Sequence, residues 1–451
     1  MGKILIALHQ FFPRFYTGTE TLALEVAKEL QARGHDVSIL CVEPFTPDIT
    51  YPAEPELRQD VYDGIPVWRL FTGSEVGLLE RLEWESYDNR LVPLIDAFLK
   101  QEKPDIVHAF HLMFLTLSFA ELVKKHGIPF YLTTTDFWLL CPTYQLLKYD
   151  GTLCTKPDSR CCFQCLLAMY MQGLAAKPLK LRLGLAFPRM VGIFNKTARS
   201  CQLILKLRIE RNHRLMNLVD GVFWSNEFLQ NLFAENKYQP KKYKTIKFPV
   251  PQKASCIFDL PLAEVSDVLR VAFIGTLSSS KGPQVAIQAV KKLNPHVPVE
   301  LSIWGAAQKL EFEQKLKKLA SDDRRIVFKG TFPQDRFSEV LKCIDVLVIP
   351  SLWYENTPLT ALSALAARRV IIVSNLGGLS SLVENDRNGY IFPPNDASAL
   401  SNILLRLAQN KSELYEVAKN INPPCRVVDY VEELIPCYRE VIQSFSSDGH
   451  E

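Results

Sequence analysis

The sequence has no uninterrupted apolar stretch near the roughly 20 residues that a membrane-spanning helix needs. It has little net charge: 52 Lys and Arg against 49 Asp and Glu leave +3. That balance argues for neither a nucleic acid nor an acidic partner. Paired carboxylates and His-rich metal motifs are missing, which disfavours a metal-dependent hydrolase. No short tandem repeat occurs. Met1-Gly2-Lys3 runs into Ile4–Leu8 without a cleavage signal and reads as a first buried strand rather than a signal peptide. Ile6 stands where a myristoylation signal needs Ser or Thr. The reducing cytoplasm is the expected compartment.

What is present fits a two-domain enzyme. A chain of 451 residues with 47% hydrophobic content is too long for one ordinary core and is far from disordered composition. Strands are expected at Lys3–Leu8, Val37–Val42, Asp105–Phe110, Pro129–Thr134, Asp220–Trp224 and Thr245–Phe248, with helices over Thr19–Arg33 and Leu112–Lys125. Residues Phe45–Val61, rich in Pro and acidic groups, read as surface loop. The pattern restarts at Leu269–Ile274, with further strands at Val299–Trp304, Ile326–Phe328, Val346–Ile349 and Val370–Val373. The expectation is an α/β chain of two doubly wound halves across a cleft: a domain over 1–250, a linker over 251–267 and a second domain over 268–424.

Residues 345–396 carry a ligand-binding loop between two short apolar strands. Thr357 is expected to cap the following helix and Pro358 to take its first position. Glu355, Asn356 and Thr357 then sit at a strand's carboxyl end before a helix N-terminus, a geometry suited to phosphate. In FIGTLSSSKG at Phe273–Gly282, Gly275 permits a tight turn and close backbone approach, and Lys281 places an ammonium group at the mouth of a helix starting near Pro283. Thr17-Gly18-Thr19-Glu20 plays a similar part in the first half. Gly18, His108 with His111, Thr135 with Asp136, Gly275 with Lys281, Glu355 with Asn356, and Gly377-Gly378 all follow expected strands. His108 either packs in the core or joins a site, and Asp136 either bonds a ligand hydroxyl or caps a turn. Trp353 and Tyr354 either stack on a base or sugar or belong to the core.

Eleven cysteines include one cluster, Cys141, Cys154, Cys161, Cys162 and Cys165. Cys162-x-x-Cys165 has metal-ligand spacing, and Cys141 with Cys154 would complete a four-thiolate site for structural zinc or an iron–sulfur cluster. Free thiols, or a disulfide between two of them, are the alternatives. Tyr170–Leu215 carries ten Lys or Arg against the single acid Glu210, interleaved with apolar residues. It reads either as a basic amphipathic contact with a membrane surface or as a solvated basic insertion in the first domain.

These motifs together resemble the retaining, nucleotide-sugar-dependent glycosyltransferases of family four, which have the GT-B fold of two Rossmann-like domains. The matching elements occur in order: TGTE, PDIVHAFH, TDFWLLCP, FIGTLSSSKG, SIWGAAQ, VFKGTF, PSLWYENTPL, SNLGGL and NGYIFPPND. The resemblance implies transfer of a sugar from a nucleotide-diphosphate sugar to a glycan, lipid-linked or other acceptor, in polysaccharide biosynthesis. Lys281 would neutralise the donor diphosphate, Glu355 would face the donor sugar, and the segment Asn356–Leu359 would hold sugar and phosphates through the backbone amides it carries, Pro358 having none. Gly18 would let the N-terminal loop approach the reacting centre, and a C-terminal helix within 425–451 would return to the first domain. Glu355, His111 and Asp136 are the candidate catalytic residues. No cofactor beyond the donor is implied, because Lys281 and helix termini can act without a divalent cation.

Four positions depart from the family pattern. Ser363 stands where a second Glu binds the ribose, so a charged clamp is replaced by a neutral hydroxyl. Thr135 and Phe110 stand where relatives carry His, and Thr276 where many carry Arg. These departures support a second reading, a catalytically degenerate relative that binds or scaffolds.

Overall fold

A computed structural model describes residues 2–43, 51–72, 82–175, 190–262, 266–307 and 309–448. The chain forms two compact units: Met1–Trp224 with Gln230–Ile246 and Val431–Glu451, and Ser225–Leu229 with Lys247–Tyr430.

The first unit is built on an eight-stranded sheet. Its strands are β1 (Lys3–Leu8), β2 (Asp36–Glu43), β3 (Glu56–Tyr62), β4 (Ile65–Phe71), β5 (Ile106–Ala109), β6 (Phe130–Thr133), β7 (Gly221–Trp224) and β8 (Tyr243–Thr245). Their order is β3-β4-β2-β1-β5-β6-β7-β8, and all neighbours except β3 and β4 run parallel. Strands covered on both faces must be apolar throughout, and Ile4–Leu8 is buried at every position. Helices α1 (Gly18–Ala32), α2 (Val92–Glu102), α3 (Thr116–Lys125), α4 (Ser159–Ala175), α5 (Met190–Leu218) and α6 (Glu227–Glu235) follow in sequence.

Two expectations for this unit need correction. Part of the expected loop Phe45–Val61 is strand β3, paired in antiparallel fashion with β4. Asp63-Gly64 makes the turn with φ of 50° and 82°, the left-handed pair that a tight hairpin requires. Residues 45–50 of that expected loop lie outside the described residues. The last strand covers Tyr243–Thr245 and stops before Ile246–Phe248, where the chain leaves for the second unit.

The second unit has β9 (Leu269–Ile274), β10 (Val299–Trp304), β11 (Ile326–Gly330), β12 (Val346–Ile349), β13 (Val370–Ser374) and β14 (Tyr390–Phe392). The order β11-β10-β9-β12-β13-β14 is fully parallel and is the doubly wound 3-2-1-4-5-6 arrangement. Helices α7 (Pro283–Lys292), α8 (Leu310–Ala320), α9 (Phe337–Lys342), α10 (Leu359–Ala366), α11 (Gly377–Ser380), α12 (Ala397–Gln409), α13 (Lys411–Lys419) and α14 (Val427–Asp448) complete the described helices. Gln252–Asp259, in the expected linker, is a 3-10 helix.

Both sheets have a reversal of strand order, between β1 and β5 and between β9 and β12. Ligands of such sheets bind beyond the carboxyl ends of the strands at this reversal.

Candidate functional site

In the second unit, the loops after β9 and β12 meet at the reversal. Gly282 turns the first loop with φ of 74°, and a Cβ there would lie 1.9 Å from the Pro350 carbonyl oxygen. Only glycine tolerates both demands, so Gly282 sets how closely the loops approach. Pro283 then opens α7, and Lys281 ends the short 3-10 turn before it. Lys281 Nζ donates to Glu355 Oε1 at 2.6 Å. The same oxygen accepts from Ser351 Oγ and from Trp353 Nε1, each at 2.8 Å. The ammonium also lies 5.2 Å from the centre of the Trp353 ring, within cation–π range. Gly275 leaves β9 with its amide on Trp304 O at 3.0 Å. A Cβ at Gly275 would meet nothing nearer than the Phe273 ring at 3.8 Å, whereas one at Gly305 would lie 1.9 Å from Gly275 O. Gly305 thus allows the β10 loop to pack directly on the Gly275 backbone.

The β12 loop is held from behind. Asn356 Oδ1 accepts from Ser225 Oγ and, at 3.1 Å, from Asn226 Nδ2, which also donates to Asn356 O at 3.1 Å. Gly378 N donates to Glu355 O at 2.9 Å, and a Cβ at Gly378 would sit 1.6 Å from Asn356 O. Thr357 Oγ1 accepts from Asn226 Nδ2 at 3.2 Å. The expected helix start is therefore corrected by one residue. Thr357 is tied to Asn226, and Pro358 is the extended cap whose carbonyl accepts from Ala361 and Leu362. Leu359 becomes the first helical residue, with its amide and that of Thr360 at positions that have no acceptor inside the helix. Ser363, one turn on, is 1% exposed. Tyr354 packs its ring 5.0 Å from Phe228.

In the first unit, His9 follows β1 and Phe110-His111 follow β5. The His9 and His111 rings lie 3.9 Å apart, tilted by 38°. His111 Nδ1 accepts from the Met113 amide at 3.1 Å, which fixes the proton on Nε2. Nε2 therefore donates to Asp136 Oδ2, at 3.0 Å, while Asp136 Oδ1 accepts from the Trp138 amide at 2.8 Å. Asp136 both caps its turn and keeps a side chain 34% exposed, against 4% for His111. A cavity of about 20 Å³, room for one water, is lined by His111, Asp136, Trp138 and Thr133–Thr135. Burial and the neighbouring imidazole push the His9 pKa well below its ordinary value. Thr135 Oγ1 donates to Phe110 O at 3.0 Å, so two of the four departures brace one another. Gly18 is exposed at the start of α1, where Glu20 accepts from Thr17 N at 2.8 Å and from Thr17 Oγ1 at 2.6 Å.

His108 belongs to the core. Its Nδ1 pairs with Tyr438 Oη at 2.5 Å and its Nε2 with Thr133 Oγ1 at 2.7 Å, joining α14 to the sheet. Burial lowers its pKa to about 3, so it is neutral at physiological pH.

The cysteine cluster lies in the first unit with all five thiols free. Cys154 is pushed up to about 12 by burial and by Cys161 and Cys141, and Cys162 and Cys165 are raised chiefly by burial. Among the described residues no three Cys, His, Asp or Glu are arranged to hold a metal ion. The expected zinc or iron–sulfur geometry through Cys141, Cys154, Cys162 and Cys165 is not formed, and the free-thiol alternative describes them. Of the basic stretch 170–215, residues 176–189 lie outside the described residues. Within its last part Arg208 is buried, with NH2 donating to Trp138 O, and Arg214 pairs with Glu121 at 2.6 Å. Among the described residues no helix is long and apolar enough to cross a membrane.

Sequence reasoning missed Ser351 and His9 and left Trp353 between stacking and core. His9 carried a usable signal, since it is the first residue past a strand at the reversal. Trp353 and Ser351 carried none, because only folding turns both toward one carboxylate.

Residues 269–410 match the family model for glycosyl transferases group 1, and residues 17–156 that for a glycosyl transferase 4-like domain. The chain is 29% identical over 170 residues to the amylovoran biosynthesis glycosyltransferase AmsK of Erwinia amylovora, covering 36% of this chain and 41% of that protein. It is 30% identical over 142 residues to the UDP-Gal:alpha-D-GlcNAc-diphosphoundecaprenol alpha-1,3-galactosyltransferase of Escherichia coli, covering 31% and 36%. It thus spans well under two thirds of the length of these curated relatives. A solved structure of Anabaena Alr3699/HepE in complex with UDP and glucose aligns over 97% of this chain and 99% of that one. The TM-score is 0.62 at 16% identity, a likeness of fold. With one family model on each unit and a doubly wound, mainly parallel sheet in both, the chain belongs to the group 1, family-four glycosyltransferases of GT-B fold.

Proposed function

We propose that the chain transfers a sugar from a nucleotide-diphosphate sugar to a glycan or lipid-linked acceptor, with retention at the anomeric carbon. The observation that carries this reading is the Lys281–Glu355 pair at the β9/β12 reversal, beside the open amides of α10. A nucleoside diphosphate leaves readily once its charge is neutralised, and Lys281 with those amides supplies that neutralisation. Glu355 faces the positive charge that develops on the sugar. Gly275, Asn356, Thr357, Pro358 and Leu359 shape the donor loop, and Ser363 takes the place of the ribose carboxylate. His111 and Asp136 act on the acceptor side, where Asp136 orients a hydroxyl, and Gly18 lets the α1 loop approach.

The family membership and the E. coli relative, whose name includes UDP-Gal and a diphosphoundecaprenol acceptor, support this substrate class. The basic stretch 170–215 fits contact with anionic lipid at the cytoplasmic face. The test is nucleotide release from UDP-glucose, UDP-galactose and GDP-mannose in the presence of lipid-linked acceptors, with the product anomer read by proton NMR. Turnover with the donor's own anomeric configuration is expected. Inversion would remove the retaining mechanism.

The degenerate, binding-only reading draws on Ser363, which carries no charge for the ribose. Donor binding without turnover in the same assay would favour it.

A further inference from the structure

We propose that Trp353 is a positioning residue that fixes Glu355 with one carboxylate oxygen tied to the protein and the other left for the donor sugar. The inference rests on the donor-site reading above and deepens it. Three donors converge on Glu355 Oε1: Lys281 Nζ at 2.6 Å, and Ser351 Oγ and Trp353 Nε1 at 2.8 Å each. Among the described residues no side chain or amide donates to Oε2. Glu355 is buried, and its two neutral donors come from its own loop, two and four residues before it. A carboxylate with a free torsion would spread its charge over several poses. Three donors on one oxygen select one pose, and charge-assisted bonds of this kind are the stronger class.

Trp353 has a second task on the same pair. Its ring face lies 5.2 Å from the Lys281 ammonium while its N–H serves Glu355. One side chain therefore steadies both the cation meant for the diphosphate and the anion meant for the sugar. When a donor brings its diphosphate, Lys281 has a competing anion, and the two neutral donors keep Oε1 occupied. That explains an indole at this place rather than any aromatic ring.

Trp353→Phe keeps a ring under the ammonium and removes only the N–H, which makes it the informative variant. The probes are UDP-glucose, UDP-galactose and GDP-mannose, each titrated beside its own nucleoside diphosphate by calorimetry. The pair that the wild-type protein binds most tightly is used throughout. Because Oε2 meets the sugar, Trp353→Phe should weaken the nucleotide sugar about fivefold and leave the nucleoside diphosphate within twofold, one hydrogen bond's worth of change. Ser351→Ala should behave alike. In Glu355→Ala, which removes the acceptor altogether, adding Trp353→Phe should cost nothing further, since the indole acts through that carboxylate.

Equal losses for sugar and diphosphate, or full additivity with Glu355→Ala, would overturn the proposal while leaving the donor site standing. A wild-type protein that binds none of the probes would instead overturn the donor-site reading, and this inference with it. Melting temperatures of all variants separate either result from misfolding.

Discussion

Lys281 and Glu355 hold one another at 2.6 Å at the end of two strands that the sequence places side by side only through the fold. Both were legible as candidates, because each follows a short apolar run and precedes a helix. Their pairing was not, since 74 residues separate them. Ser363 was legible as a departure, but its environment was not: it lies 1% exposed in the second turn of α10. A carboxylate placed there loses hydration unless a ribose pairs with it. We expect Ser363→Glu to lower the melting temperature while tightening donor binding by on the order of 1 kcal/mol. Calorimetry and a melting curve on both proteins check this, and lower stability with no gain in affinity would contradict it.

At the scale of elements, turn chemistry was partly readable and partly passed over. The Asp63-Gly64 hairpin sat in plain view between two alternating runs, yet the Pro-rich and acidic residues before it suggested loop. The start of α10 was misread by one residue because Asn226, far away in sequence, claims the Thr357 hydroxyl. Gly282 gives the sharpest test of loop approach. Ala there meets a φ of 74° and the Pro350 carbonyl at 1.9 Å, whereas Gly330, with φ of 71°, has nothing within 4 Å of a Cβ. We expect Gly282→Ala to cost more than ~1 kcal/mol and clearly more than Gly330→Ala. Equal melting temperatures for the two would show that the loops do not meet so closely.

The junction of α14 with the first sheet adds a pH dependence. His108, neutral between Tyr438 and Thr133, has a folded pKa of about 3, below its ordinary value near 6.5. Between those limits the unfolded chain binds the extra proton, so stability is full above about pH 6.5 and falls as the solution is acidified. The slope from one such group is at most about 1.4 kcal/mol per pH unit, and buried His9 acts in the same direction. Urea midpoints at pH 7.5 and pH 5 should show the loss, and His108→Gln should flatten it. A midpoint that rises on acidification would contradict this assignment.

At the scale of the molecule, the two halves were legible because parallel buried strands leave unbroken apolar runs, restarted after residue 268. The β3 edge, α2 and β14 escaped notice, since short or half-exposed elements carry weak periodicity. The strand orders were not legible at all, because order follows from crossover packing rather than from any one segment. The basic stretch 170–215 belongs to this scale too. If it docks on lipid, binding to vesicles containing phosphatidylserine should be strong at low salt and fall steeply by about 0.5 M, as screening shortens the reach of charge. Equal sedimentation with neutral and anionic vesicles would leave only a solvated basic surface.

The proposed donor site holds a nucleotide diphosphate at the end of β9 and β12, against Lys281. Calorimetric titration of wild type and Lys281→Ala with UDP and GDP, and with the sugar nucleotide of each, tests it most directly. We expect one nucleotide and its sugar to bind the wild type, and Lys281→Ala to weaken both by about tenfold, roughly 1.4 kcal/mol, in a protein that stays folded but melts lower, because Glu355 loses its cation. Unchanged affinity in the variant would contradict it.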